Sequence, residues 1–216
     1  MSRPGVTDQF TRDVAEHQLT VIRDDDLYRH LRLARPGTGI NHFDIVTWPG
    51  HLSLGGDRDG FVFARIPDMF EFFRAKSGWN TNSINPQYWA EKLTVQVPVK
   101  TYDVNIFRQY INGAINDAAD DYPGLAGHAR RLIRYAESDG AFEREDDARE
   151  WLRDFKFVVP AVVPVRQFQF LDTWECDFTD WDFHYLYACH AIQWGIDQYD
   201  AHIAQRSDRL ISALIS

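Results

Sequence analysis

The chain has 216 residues, of which 44% are hydrophobic and 14% aromatic, enough apolar content for a sizeable core without disulfide or metal staples. A formal net charge of −9 excludes a general nucleic-acid binder, which needs a basic stripe against phosphates, and gives no attraction to anionic membranes. Cys176 and Cys189, the only cysteines, read as reduced thiols; no run is long and apolar enough to span a bilayer and residues 1–5 show no leader, so the expected compartment is the cytoplasm.

Thr7 and Asp8 are placed to cap a short helix carrying Phe10 and Val14, ahead of a first strand over 19–22. Asp24, Asp25 and Asp26 predict a solvated turn; they lack the alternate spacing, the glycine and the late glutamate of a calcium loop. From 29 to 65 the apolar period is two: Leu31 and Leu33, Phe43 and Ile45, Leu52 and Leu54 alternate with polar neighbours. Pro36-Gly37, Pro49-Gly50 and the glycines at 55, 56 and 60 punctuate them, which predicts an antiparallel meander.

The second face of that meander gathers the candidate site. With Arg32 opposite His42 and His30 opposite Asp44 across the first hairpin, and Trp48 opposite His51 and Val46 opposite Ser53 across a Pro49-Gly50 loop, one face carries Tyr28, His30, Arg32, His42, Asp44, Trp48, His51 and Ser53. His30, Asp44 and His51 are the candidate catalytic set, as bases oriented by a carboxylate, and together with His42 they are also of the residue types that a metal site uses. Tyr28, Arg32, His42 and Trp48 are the candidate binding set. A solvent-facing sheet surface with His30 and Asp44 merely paired is the plainer reading.

Pro67 is expected to open a short helix with Met69, Phe72 and Phe73, followed by a polar loop over 76–83. Asn85 and Pro86 open a second with Tyr88, Trp89 and Leu93, and Val95, Val97 and Val99 alternate as a further strand. From Asp103 the period becomes helical. Phe107, Ile111, Ala114 and Ala118 form one helix; Leu125, Leu132, Ile133 and Ala136 form the next, ending at Ser138-Asp139-Gly140; Ala148, Trp151, Leu152 and Phe155 form a third, whose early acidic residues suit the helix dipole. Pro160 and Pro164 reduce 158–165 to an edge or connector, and 167–171 reads as a strand. A long last helix presents Tyr185, Cys189, Ile192, Ile196, Tyr199 and Ile203 on one stripe; its wider apolar surface also suits a homo-oligomer. Asp172, Glu175, Asp177, His184 and His190, near its start, read as capping and packing residues.

No phosphate-binding loop, dinucleotide fingerprint, zinc-protease motif, Cys-x-x-Cys pair or nucleophile elbow is present, so no cofactor and no metal set is implied. The strings Leu27-Tyr28-Arg29-His30-Leu31-Arg32, Phe43-Asp44-Ile45-Val46-Thr47-Trp48-Pro49-Gly50-His51-Leu52, Ile84-Asn85-Pro86 with Tyr88-Trp89-Ala90-Glu91-Lys92-Leu93, and Ile192-Gln193-Trp194-Gly195-Ile196-Asp197-Gln198-Tyr199-Asp200 resemble those of a family of small proteins encoded by tailed bacteriophages and prophages. That family has no assigned activity. The resemblance covers most of the chain and implies expression inside a bacterial host. The expected fold is a single α+β domain over 1–216, mainly sheet with short helices over 1–100 and mainly helical over 101–216. The expected function is that of a phage accessory protein in the host cytoplasm, binding and modulating a host protein such as a defence component. The rival is a small-molecule enzyme or ligand-sequestering protein using the face around His30 and Asp44.

Overall fold

The computed structural model of the chain describes residues 5–74, 84–160 and 164–215; the polar loop expected over 76–83 lies outside them. The fold is α+β. The chain forms two compact units, one from 1–99 with 181–216 and one from 100–180, each with its own apolar cluster. The boundary that separates a sheet half from a helical half in the sequence is thus the passage between units, and the last helix belongs to the first unit.

In the first unit, helix α1 (Val6–Asp13) precedes a five-stranded antiparallel meander of β1 (Gln18–Asp25), β2 (Tyr28–Ala34), β3 (Phe43–Trp48), β4 (His51–Gly56) and β5 (Phe61–Ala64), in chain order. Gly5 precedes α1 without a side-chain cap, so Thr7 and Asp8 lie inside its first turn. Asp24 and Asp25 extend β1, and Asp26, with φ 53, supplies the left-handed turn residue. Leu31, Leu33, Phe43, Ile45, Leu52, Leu54, Phe61 and Phe63 are all buried on one face, as their period of two requires.

Helices α2 (Met69–Phe73) and α3 (Pro86–Ala90) follow. Asp68, not Pro67, starts α2, its carboxylate accepting from the Phe70 N–H at 2.9 Å. Asn85 caps α3 and Pro86 takes its first position. Val95, Val97 and Val99 form no strand: Pro98 between them has no N–H to give a ladder. The chain closes the edge of β5 earlier, where Phe63 bridges Leu93 and the Thr94 N–H donates to the Val62 carbonyl at 2.9 Å.

Helix α7 (Phe183–Ile215) begins at Asp182, which accepts from the His184 and Tyr185 N–H groups. Its stripe of Tyr185, Cys189, Ile192, Ile196 and Tyr199 is buried. Gly195 is where helix and sheet come closest: a Cβ there would lie 2.4 Å from Ile45 Cδ1 and 3.3 Å from Leu33 Cδ1. At the end of the apolar face Arg29 grips Asp68 through two bonds of 2.8 and 3.0 Å and stacks over Phe70, 4.7 Å from its ring centre. Tyr199 completes this corner by donating to Asp24 at 2.8 Å, so β1, β2, α2 and α7 are tied by charge-assisted bonds where apolar contacts end.

The second unit is entered by β6 (Lys100–Tyr102) and left by β9 (Thr179–Trp181), which pair. Between them lie α4 (Val104–Ala118), α5 (Leu125–Ser138), α6 (Glu145–Asp154) and a hairpin of β7 (Lys156–Val158) with β8 (Gln167–Gln169). Asp103 caps α4, Gly124 with φ 93 turns the chain into α5, and three acidic residues open α6. Phe107, Phe142, Leu152, Phe155 and Phe178 centre the core.

Gly195→Ala should lower stability by about 1–3 kcal/mol, against the usual gain from alanine in a helix. Ile45→Val, which removes the obstructing Cδ1, should make the pair cost clearly less than the two changes summed, in a denaturant double-mutant cycle. Strict additivity would remove Gly195 from the helix–sheet contact.

Candidate functional site

Burial of one sheet face fixes the other. Tyr28, His30, Arg32, Asp44, Val46, Trp48, His51 and Ser53 occupy the outer positions of β2, β3 and β4, half-buried or exposed. The β3/β4 hairpin has the expected register, with Trp48 opposite His51 and Val46 opposite Ser53. Gly50, with φ 81, supplies the positive φ of its turn. The β2/β3 register is displaced by two residues: Arg32 lies opposite Asp44 and His30 opposite Val46. An even displacement keeps each side chain on its face and changes its partner.

Asp44 is therefore held by Arg32. Nε and one terminal nitrogen of the guanidinium donate to its two oxygens at 2.9 and 2.7 Å, and this hydrogen bonding keeps the carboxyl below its ordinary range. His30 approaches the same carboxylate at 3.5 Å, but its Nε2 is buried without a hydrogen-bond partner; the contact is too long and too poorly aligned to be one. His51 stacks on Trp48 with ring centres 5.0 Å apart and planes 8° apart, and its Nδ1 lies 3.1 Å from the Pro49 carbonyl. Four residues of strand, roughly 13 Å at the usual rise, separate Asp44 from the Trp48–His51 pair. His30, Asp44 and His51 share a face without forming a hydrogen-bonded relay.

His42 is not gathered with them. The β2/β3 ladder stops at Leu33 and Phe43, and the His42 ring lies 2.9 Å from the Gly39 carbonyl and 3.2 Å from Asp57. Together with Arg58, Asp59, His184 and Tyr187 it borders a cavity of about 20 Å³, room for a water and not for a metabolite. Arg58 and the Tyr187 hydroxyl both reach Asp13 at 3.1 Å. This cluster was not readable from the sequence, where Asp57, Arg58 and Asp59 show only as turn residues. Among the described residues no group of three or more His, Cys, Asp or Glu side chains is arranged to hold a metal ion.

The second candidate cluster is divided. Asp172, with φ 52, and Asp177, which accepts from both the N–H and the hydroxyl of Thr179, shape turns of the second unit with Glu175 beside them. On α7, His184 lies 3.7 Å from Asp59. His190 stacks on Phe10 and meets the Thr7 hydroxyl at 3.2 Å, and burial lowers its pKa.

Comparisons with protein-family models, with curated proteins and with solved structures each find no match to this chain. No helix among the described residues is long and apolar enough to cross a membrane.

The folded Asp44 carboxyl is depressed, so its contribution to stability is fully present above the ordinary carboxylate range and is lost as pH falls through the depressed folded value. Arg32→Leu should return the Asp44 titration, followed by carboxyl NMR, toward ordinary values and flatten the acid-side loss of melting temperature. An unmoved titration in the folded variant would show that Arg32 does not set it.

Proposed function

We propose that this chain is an accessory protein encoded by a tailed bacteriophage or prophage, which acts in the host cytoplasm by binding and modulating a host protein, a defence component being the kind of factor in view. The outer face of the five-stranded sheet is its binding surface. The observation that carries this reading is the engagement of Asp44 by Arg32. A carboxylate clamped by a guanidinium and held ionised is a poor proton acceptor, and it leaves His30 without the aligned partner that a general base requires.

What the face offers instead are anchors. Tyr28 is 46% exposed, Trp48 is braced by the stacked His51, and Arg32 is pre-positioned by two bonds with its side chain 47% exposed. Large aromatics and arginines held in fixed rotamers are the residues on which protein interfaces concentrate their energy, because little conformational entropy is lost when a partner arrives. The strings that resemble those of phage and prophage proteins run through these strands, and on this reading a bacterial host supplies the partner's setting.

A tagged copy expressed in host cells should capture one host protein in stoichiometric amount. Tyr28→Ala, Trp48→Ala and Arg32→Ala should each weaken that capture by more than about 1 kcal/mol, roughly fivefold, with little change in melting temperature. His30→Ala should be mild. Complete loss confined to His30→Ala and Asp44→Ala, with Trp48→Ala and Arg32→Ala tolerated, would overturn the proposal in favour of small-molecule chemistry at the same face.

A further inference from the structure

We propose that the open edge of β7 and the groove beside it form a docking site for an extended, carboxylate-bearing segment of a partner protein, taken up as an added strand. This surface belongs to the second unit and stands independently of the sheet face of the first. In the β7/β8 hairpin the Val159 N–H donates to the Arg166 carbonyl at 2.9 Å. Antiparallel pairing alternates, so Phe157, two residues back, also turns its N–H and C=O toward β8, and Lys156 and Val158 turn theirs the other way. Among the described residues no other backbone takes these groups up. They are the template that strand addition uses.

The free edge faces a groove of about 590 Å³ whose far wall is the start of α5. Gly127, in the first turn of α5, leaves that wall low: a Cβ built there meets no atom within 4 Å, so neighbouring packing within the chain gives no reason for glycine there in place of a better helix former. Phe157 lines the groove as a buried apolar ring, and Val158 is 49% exposed at its rim.

The charge of the groove selects the occupant. Arg131 and Lys156 line it without an ion-pair partner among the described residues, Arg131 touching only His128 at 3.5 Å. Elsewhere in the unit Arg108, Arg144, Arg149 and Arg166 each meet a carboxylate, while Arg130, Arg134 and Arg153 stand exposed on helix surfaces outside the groove. The unit as a whole is acidic, and what sets the groove apart is that Arg131, Lys156 and His128 line one concave surface with no carboxylate among its lining residues. A lysine on an edge repels incoming strands in general; with Arg131 and His128 across the groove, that repulsion becomes selection for a strand that brings carboxylates.

The test uses the full chain and a fluorescent, acetylated peptide of alternating glutamate and valine, followed by anisotropy. Saturable binding is expected, weakened at least about tenfold in the double variant Arg131→Glu, Lys156→Glu and by N-methylation of alternate peptide amides, since the first removes the charge match and the second the ladder bonds. Gly127→Leu, which has open space on its own chain, should keep the melting temperature and block binding. No saturable binding up to millimolar peptide, equal binding of the N-methylated peptide, or preference for a single-stranded oligonucleotide of matched charge would each overturn the proposal. Binding that survives both Gly127→Leu and the charge reversal would do the same.

Discussion

Helix α7 can approach the sheet because Gly195 presents bare backbone where Ile45 and Leu33 stand up from β3 and β2. Side chains of a strand alternate strictly, so once this contact commits Leu31, Leu33, Ile45 and Leu52 to the helix, their neighbours have nowhere to go but the opposite face. Tyr28, His30, Arg32, Asp44, Trp48 and His51 are grouped by that commitment rather than by any attraction among themselves. The candidate surface is, in this sense, a by-product of the core.

This is why membership of the face, His42 apart, was legible in the sequence while the pairing of β2 with β3 was not. The period of two reports parity, and parity survives a displacement of the β2/β3 register by two residues. What the displacement changes is chemistry. It gives Asp44 to Arg32 rather than to His30, turning a supposed base and its orienter into an arginine clamp. The register is set by the turn between Ala34 and Phe43, where Gly37 and Asn41 both take positive φ and where composition alone does not count how many residues the loop consumes. The β3/β4 pairing was readable because Pro49-Gly50 leaves only a two-residue loop. The helices of the second unit were readable from their caps and spacing, and the failed strand at Val95, Val97 and Val99 shows a local period giving way to a proline within it.

Two bidentate arginine–aspartate pairs flank β2, and their surroundings assign them different roles. Arg29 points to the covered face, with 11% of its side chain exposed, and its charge is matched by Asp68 and by the rings of Phe70 and Tyr199. Burial alone would raise the Asp68 carboxyl, yet Arg29 and the Phe70 N–H keep it below its ordinary range. Removing either partner would strand a charge in a poorly solvated place. Arg32 points outward, where water screens the pair and its net contribution to stability is small. The outer pair is therefore free to be shaped by what it binds, while the inner one is committed to joining α2 and α7 to the sheet.

The division into two units also bears on the charge of the chain. A net charge of −9 describes the protein as seen from far away, where it discourages nucleic acid and anionic lipid. Within about a Debye length, 8–10 Å at ordinary ionic strength, the local arrangement decides. In the second unit α5 exposes Arg130, Arg131 and Arg134 within little more than one turn, with Glu137 its one acidic residue, whereas α6 interleaves its charges and pairs Glu145 with Arg149 at i,i+4. Helix stability would favour interleaving. Over 130–134 helix α5 forgoes that stabilisation and leaves a basic groove on an acidic protein, a surface that long-range repulsion shields from nucleic acid and that short-range attraction opens to a carboxylate-bearing strand.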